Sequence, residues 1–301
     1  MDKKKFQGII VPLINPCDDK DNLDQDALLR HYEHMSACDL RGYYINGGTG
    51  DAFNLTQEER LAIAELLVPA IKKDNKTAIV HVGQTDMREA LVLAEQACSL
   101  GADAVASIPP AKDFPEIEKY YRALAESGLP VIVYVIPKLT GIQMGMAEIR
   151  RLLNIPAVAG CKISDWHVFL IRQISNEFPE KIVYSGFDEL LLPGLLYGAD
   201  GAIGTFINLF PNFYLKVYEA VQDEKIDKVR NLCEAFSDFL ALAWKNGVFN
   251  SFEEIIYRRG IAKRCFRQPS SWVPGTLPEE IIAELLERQE RIEHSARQLV
   301  L

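Results

Sequence analysis

The residue best placed to do chemistry is Lys162, in the stretch VAGCKIS from Val158 to Ser164. Small and apolar residues from Pro156 to Gly160 read as a buried strand, and the lysine arrives where that strand is still covered. Burying an ammonium is costly, so such a site must either pair it with a carboxylate or hold it uncharged. An uncharged lysine amine attacks ketones. Cys161 is a nucleophile by type, but alternation along a strand turns it to the face opposite Lys162. Further polar residues gather at the ends of other apolar runs. Tyr134 lies near the end of the run Pro130 to Ile136 and offers a phenol for proton transfer. The turn GGTGD, Gly47 to Asp51, offers the backbone N–H groups of Gly48 and Thr49, which suit a carboxylate or phosphate.

The elements that carry these residues repeat. Apolar runs at Phe6–Pro12, Leu40–Asn46, Thr77–Val82, Ala104–Ile108, Pro130–Ile136, the Lys162 stretch, Lys181–Ser185 and Gly201–Gly204 read as eight strands. Between them lie helical patterns at Leu23–Ala37, Thr56–Lys72, Asp86–Leu100, Pro115–Ser127, Met146–Leu153, Asp165–Glu177 and Glu189–Tyr197. Thr56 and Glu59 form a capping box. Eight alternations about 25 residues apart predict an α/β chain folded as a (β/α)8 TIM barrel. An open doubly wound sheet would carry a dinucleotide fingerprint after its first strand, and this chain has none. Beyond residue 210 only helical patterns follow, at Phe213–Gln222, Ile226–Lys245, Phe252–Ile261 and Glu279–Arg297. The first closes the barrel, residues 1–222, and the rest form a C-terminal helical extension, residues 223–301. In such barrels the active site lies at the C-terminal ends of the strands. That end collects Gly48, Thr49, Tyr134, Lys162, Ser164, Gly186, Asp188, Glu189 and Thr205.

Composition narrows the functions available. The chain has 301 residues and a net charge of −9, with a pI near 5.2, which argues against nucleic acid or an anionic membrane as a partner. No apolar run reaches bilayer length, and the basic N-terminus MDKKKFQGII lacks the apolar core of a secretion signal, so cytoplasm is the expected compartment. The six cysteines are scattered without a CxxC pair, which fits neither a zinc site nor a disulfide framework. His31, His34 and the run Asp165-Trp166-His167 show no metal-ligand spacing, and His81 reads as a core histidine.

The motifs resemble those of the class I pyruvate-dependent aldolases, the family of N-acetylneuraminate lyase and dihydrodipicolinate synthase. NGGTGD (Asn46 to Asp51) is similar to the family's glycine-rich turn, YVIPKLTG (Tyr134 to Gly141) to its YxIPxxTG, and GCK (Gly160 to Lys162) to its GxK lysine motif. The similarity runs from about Phe6 to Gln268. SGFDE (Ser185 to Glu189) and GADGAIGT (Gly198 to Thr205) resemble the sugar-binding segments of the lyase branch, whereas Leu139 stands where the synthase pattern has an arginine. The resemblance implies a Schiff base on Lys162, proton transfer by Tyr134 and a carboxylate held by Gly48 and Thr49. It also implies sugar contacts by Ser164, Gly186, Asp188, Glu189 and Thr205, with no metal or organic cofactor. The substrates would be a 2-keto sugar acid and pyruvate, the reaction cleavage of N-acetylneuraminate to N-acetylmannosamine and pyruvate, and the assembly a homotetramer. Another 2-keto-3-deoxy sugar acid, a synthase-like reaction and a non-catalytic ligand-binding barrel are the competing expectations. Two positions depart from the pattern: Gly48 replaces a hydroxyl residue, and IPPAKDF (Ile108 to Phe114) lacks the family's tyrosine.

Overall fold

The computed structural model describes residues 2–83, 86–110, 113–268, 270, 272–273 and 275–301. Eight parallel strands close into a barrel in chain order: β1 (Gly8–Pro12), β2 (Gly42–Ile45), β3 (Thr77–His81), β4 (Ala104–Ser107), β5 (Val131–Val135), β6 (Val158–Ile163), β7 (Ile182–Ser185) and β8 (Gly201–Ala202). Closure is made by β1 on β8, Gly8 opposite Gly201 and Ile9 opposite Ala202. The helices around it are α1 (Gln25–Ser36), α2 (Gln57–Lys73), α3 (Met87–Ser99), α4 (Phe114–Ala125), α5 (Pro137–Thr140), α6 (Met146–Leu153), α7 (Phe169–Glu177), α8 (Leu191–Leu196) and α9 (Pro211–Gln222). Then come α10 (Arg230–Lys245), α11 (Val248–Arg258) and α12 (Glu279–Gln298). The expected TIM barrel with a helical C-terminal segment is therefore the fold of this chain.

Alternation along the strands sorts their side chains into two cores. Ile10, Tyr44, Ile79, Ala106, Ile132 and Tyr184 fill the barrel interior. Their neighbours Val11, Ile45, Val80, Val105, Val133 and Val183 face outward and pack with the helices. Each such apolar side chain, fully buried, contributes about 1.5–3 kcal/mol. In β6 the alternation is interrupted. Val131 pairs with Val158 but Ile132 pairs with Gly160, so Ala159 is the extra residue of a bulge. Val158 belongs to the outer core, and Lys162, four residues on, would share its face in a regular strand. The bulge reverses the phase, turning Lys162 inward and setting it opposite Tyr134. A Cβ on Gly160 would lie 1.9 Å from the Ile182 carbonyl oxygen, so only glycine lets β6 and β7 approach here.

Several boundaries differ from the sequence expectation for identifiable reasons. The helix expected from Asp165 starts at Phe169, because Asp165 Oδ1 accepts the His167 N–H at 3.1 Å and holds those residues in a turn. The helix expected at Glu189–Tyr197 is a 3-10 turn, Asp188–Leu190, followed by α8. Ile226–Val229 is likewise a 3-10 turn ahead of α10. The short α5 was not expected, and α11 begins at Val248 rather than Phe252. The capping box is present, with Thr56 and Glu59 each bonding the other's backbone.

Candidate active site

Lys162 lies at the C-terminal end of β6 and is 5% exposed. Its Nζ stands 4.2 Å from the Tyr134 ring centroid and 4.9 Å from that of Tyr44. Among the described residues it takes part in no ion pair. Two aromatic faces therefore flank the amine where a carboxylate would otherwise be needed. An iminium formed at that point would be attracted by the ring quadrupoles. Tyr134 is 6% exposed, and its hydroxyl accepts a long 3.4 Å bond from Ser164 Oγ. Cys161 points into the outer core as expected, and burial pushes its thiol up to about 12, which keeps it protonated and inert.

At the end of β3, His81 packs edge-on to Tyr134, with ring centroids 6.2 Å apart. Its Nδ1 donates to the Asn46 carbonyl at 3.0 Å. Burial pulls its pKa well below the usual range, so the ring is neutral, as a core histidine should be. Arg60, fully buried, was not singled out from the sequence. It donates to the carbonyls of His81 (2.7 Å) and Gly83 (3.0 Å) and so ties α2 to the end of β3.

The glycine-rich turn is a 3-10 turn, Gly48–Gly50, whose first two N–H groups have no backbone acceptor among the described residues. Asn15 Nδ2 holds the Gly50 carbonyl at 2.7 Å. Thr49 Oγ1 bonds Thr205 Oγ1 at 2.8 Å, joining the β2 turn to the turn after β8. A Cβ on Gly48 would meet nothing within 4 Å, so the family's hydroxyl residue would fit. At Gly186 the opposite holds: a Cβ would lie 2.1 Å from Ser164 Oγ and 3.0 Å from Lys162 Cε. Asp188 ties two turns together, accepting the N–H groups of Thr205 and Phe206 at 3.1 Å each and the Tyr214 hydroxyl. Burial raises its pKa to about 7, against the lowering pull of the Tyr214 bond, with Glu189 adding to the rise. Glu189 accepts the indole N–H of Trp244.

All nine residues expected from the sequence line one cavity at the C-terminal ends of the strands. Residues that sequence reasoning did not assign also line it: Tyr44, Phe53, Lys138, Phe187 and, from the C-terminal segment, Trp244, Phe249, Phe266 and Trp272. The segment is fastened to the glycine-rich turn through Arg267, whose backbone N–H reaches Asp51 at 3.1 Å and whose guanidinium reaches the Asn54 carbonyl at 3.0 Å and pairs with Glu59. Leu139, at the position of the synthase arginine, lines the cavity 38% exposed. The missing tyrosine after β4 concerns a stretch whose Ala111 and Lys112 lie outside the described residues. No cluster of metal-ligating side chains occurs among the described residues.

Comparison with known proteins gives a consistent set of relatives. A sequence model described as the dihydrodipicolinate synthetase family matches residues 5–283. An N-acetylneuraminate lyase of Citrobacter koseri is 32% identical over 283 residues, covering 92% of this chain and 95% of its own. The crystal structure of an N-acetylneuraminate lyase from Fusobacterium nucleatum complexed with pyruvate matches with a TM-score of 0.85 at 26% identity, covering 96% of this chain and 97% of that one. CdNal from Clostridium difficile, solved in complex with mannosamine, matches with a TM-score of 0.85 at 27% identity, covering 96% and 99%.

Proposed function

The chain belongs to the dihydrodipicolinate synthetase family, and on that premise we propose that it is a class I aldolase cleaving N-acetylneuraminate to N-acetylmannosamine and pyruvate. The observation that carries this reading is the Lys162 amine, buried at a strand end between two tyrosine faces without an acidic partner among the described residues. The amine attacks the C2 ketone of the open-chain acid, and loss of water leaves an iminium. Breaking the C3–C4 bond sends its electron pair to the iminium and gives an enamine, releasing the aldehyde. The proton of the C4 hydroxyl travels by way of the Tyr134 oxygen and ends on C3. Water then hydrolyses the iminium, returning pyruvate and the free amine.

In this reading the Gly48 and Thr49 N–H groups hold the carboxylate, and Ser164 steadies the Tyr134 hydroxyl. The missing Cβ at Gly186 leaves the room that Ser164 and Lys162 occupy, while Asp188, Glu189 and Thr205 serve the sugar side. Asp188 already accepts three bonds from its own chain, so it acts chiefly by holding the turns after β7 and β8. That commitment is what favours the second reading, an acid with fewer hydroxyls such as another 2-keto-3-deoxy sugar acid. Barrel (1–222) and extension (223–301) work as one catalytic unit, since both line the cavity. No metal or organic cofactor enters the mechanism.

Borohydride reduction with pyruvate should leave a covalent adduct on Lys162, absent in Lys162→Ala, as read by peptide mass spectrometry. An unmodified wild-type lysine would leave a ligand-binding barrel as the surviving reading. A coupled assay with N-acetylneuraminate and 2-keto-3-deoxy-gluconate decides between the two acids. The same reading makes the protein a cytoplasmic homotetramer without nucleic-acid or membrane partners. The net charge of −9 supports the absence of nucleic-acid and anionic-membrane partners.

A further inference from the structure

The C-terminal helices do more than pack on the barrel, because α10 sends one side chain into the cavity mouth. Leu232, Phe236, Phe239, Leu240 and Ala243 form the buried stripe of α10. Trp244 falls beside that stripe and remains 43% exposed. Its polar and aromatic features are nonetheless engaged. The indole Nε1 donates to Glu189 Oε1, and Lys138 Nζ stands 4.6 Å from the ring centroid, where the ring quadrupole attracts a cation. Neither Glu189 nor Lys138 takes part in an ion pair among the described residues. The chain turns just beyond, where Gly247 adopts φ +95°, and Phe249 of α11 returns to the same wall. Lys138, Glu189 and Trp244 thus come from α5, the turn after β7 and α10, and meet only in the folded protein.

We infer that Trp244 is a positioning residue that sets substrate choice, holding Glu189 and Lys138 to read the far end of a long polyhydroxylated 2-keto acid. A carboxylate has about four acceptor sites, and the indole takes one, so Glu189 keeps capacity for substrate hydroxyls while its orientation is fixed. Lys138 donates to substrate oxygens, and the indole face covers the C–H side of the carbon chain. Exposure rises from Lys162 at 5% to Trp244 at 43%, which puts the trio at the outer end of the cavity. An acid joined to Lys162 through its second carbon would present its far end, and not its reacting carbons, to them. This inference rests on the Schiff-base reading given above and adds what selects the aldehyde half.

The test compares wild type, Trp244→Phe and Trp244→Leu on nine-carbon N-acetylneuraminate and six-carbon 2-keto-3-deoxy-gluconate, with Lys138→Met as an independent variant. Loss of a hydrogen bond that orients a charged group corresponds to about 10-fold or more. KM for the nine-carbon acid should rise by about that factor in Trp244→Leu and by less in Trp244→Phe, with kcat changing far less, as expected for binding made equally in ground and transition states. KM for the six-carbon acid should move by no more than about 2-fold. Lys138→Met should raise KM for the nine-carbon acid selectively as well. Equal shifts for the two acids, an effect on kcat alone, or a wild type that prefers the shorter acid would overturn the inference. Borohydride trapping of pyruvate is run on every protein. Wild type without an adduct sinks the Schiff-base reading, whereas normal trapping with unchanged discrimination sinks only the role of Trp244. A Trp244 variant that fails to trap is misfolded at the site, and Lys138→Met then decides.

Discussion

Gly48 leaves a gap at the point where its relatives' sequence pattern carries a hydroxyl, and the gap has room to be filled. A hydrogen bond to a charged group is worth about 1.5–3 kcal/mol, or about 10 to 150-fold. Since no atom lies within 4 Å of a Cβ at Gly48 and its φ is not positive, Gly48→Ser should fold without strain. We expect kcat/KM for the preferred acid to rise several-fold at least, and a drop in a steady-state assay would mean that the open space itself is used by substrate. Gly186 is the contrasting residue: there the lysine and Ser164 fill the space, and Gly186→Ala should impair Schiff-base trapping. At this scale the sequence was informative about Lys162 and Tyr134, because a lysine ending a charge-free strand is a conspicuous violation of burial rules. It was silent about Arg60 and Tyr44, which look in sequence like any helix arginine or strand tyrosine.

The turns after β7 and β8 behave as one element because Asp188 links them. Burial pushes its carboxyl pKa up to about 7 from an ordinary value of 3.8. A raised carboxyl pKa means that the folded state retains a proton the unfolded chain has lost. Stability from this group is therefore full below about pH 4, falls as pH rises from about 4 to about 7, and is flat above. Thermal melts across that window should show the decline, and Asp188→Asn should flatten it; an unchanged slope in the variant would assign the titration elsewhere. The strand order was legible because apolar runs and helical patterns alternate with a regular spacing. The helix starts were less so. Asp165 reads as a helix N-terminus, but its side chain closes a local turn on His167 and delays α7 to Phe169. Trp244 was illegible for a different reason: helical periodicity places it off the buried stripe, and only the tertiary approach of α10 to the β7 turn gives it partners.

Across the whole molecule, the barrel and the C-terminal helices share an aromatic joint. Phe206, directly after Thr205, packs on Phe239 and Phe252 with centroids 5.7 Å and 5.6 Å apart. Phe239→Ala should cost about 3–5 kcal/mol through the cavity it leaves, visible as a lower melting temperature together with weaker substrate binding, because the joint also seats Thr205. A loss of stability with unaltered KM would separate the two. On the opposite side of the economy of burial, Trp166, Phe169, Leu196 and Tyr197 leave 38–61% of their surfaces exposed. Phe169 and Tyr197 are in edge contact with each other, centroids 6.3 Å apart. If the proposed homotetramer covers the Phe169–Tyr197 pair, Phe169→Glu should shift the sedimentation profile to smaller species, and a wild type that sediments as a monomer would refute the assembly. The bulge at Ala159 has a further implication for how such a molecule can vary. It resets the alternation of β6, so that Cys161 and Ile163 beyond it face the outer core with Val158 while Lys162 between them faces the cavity. Deleting the extra residue would exchange the two faces beyond it and send the amine outward, so the aim of the reactive atom depends on a count of backbone residues.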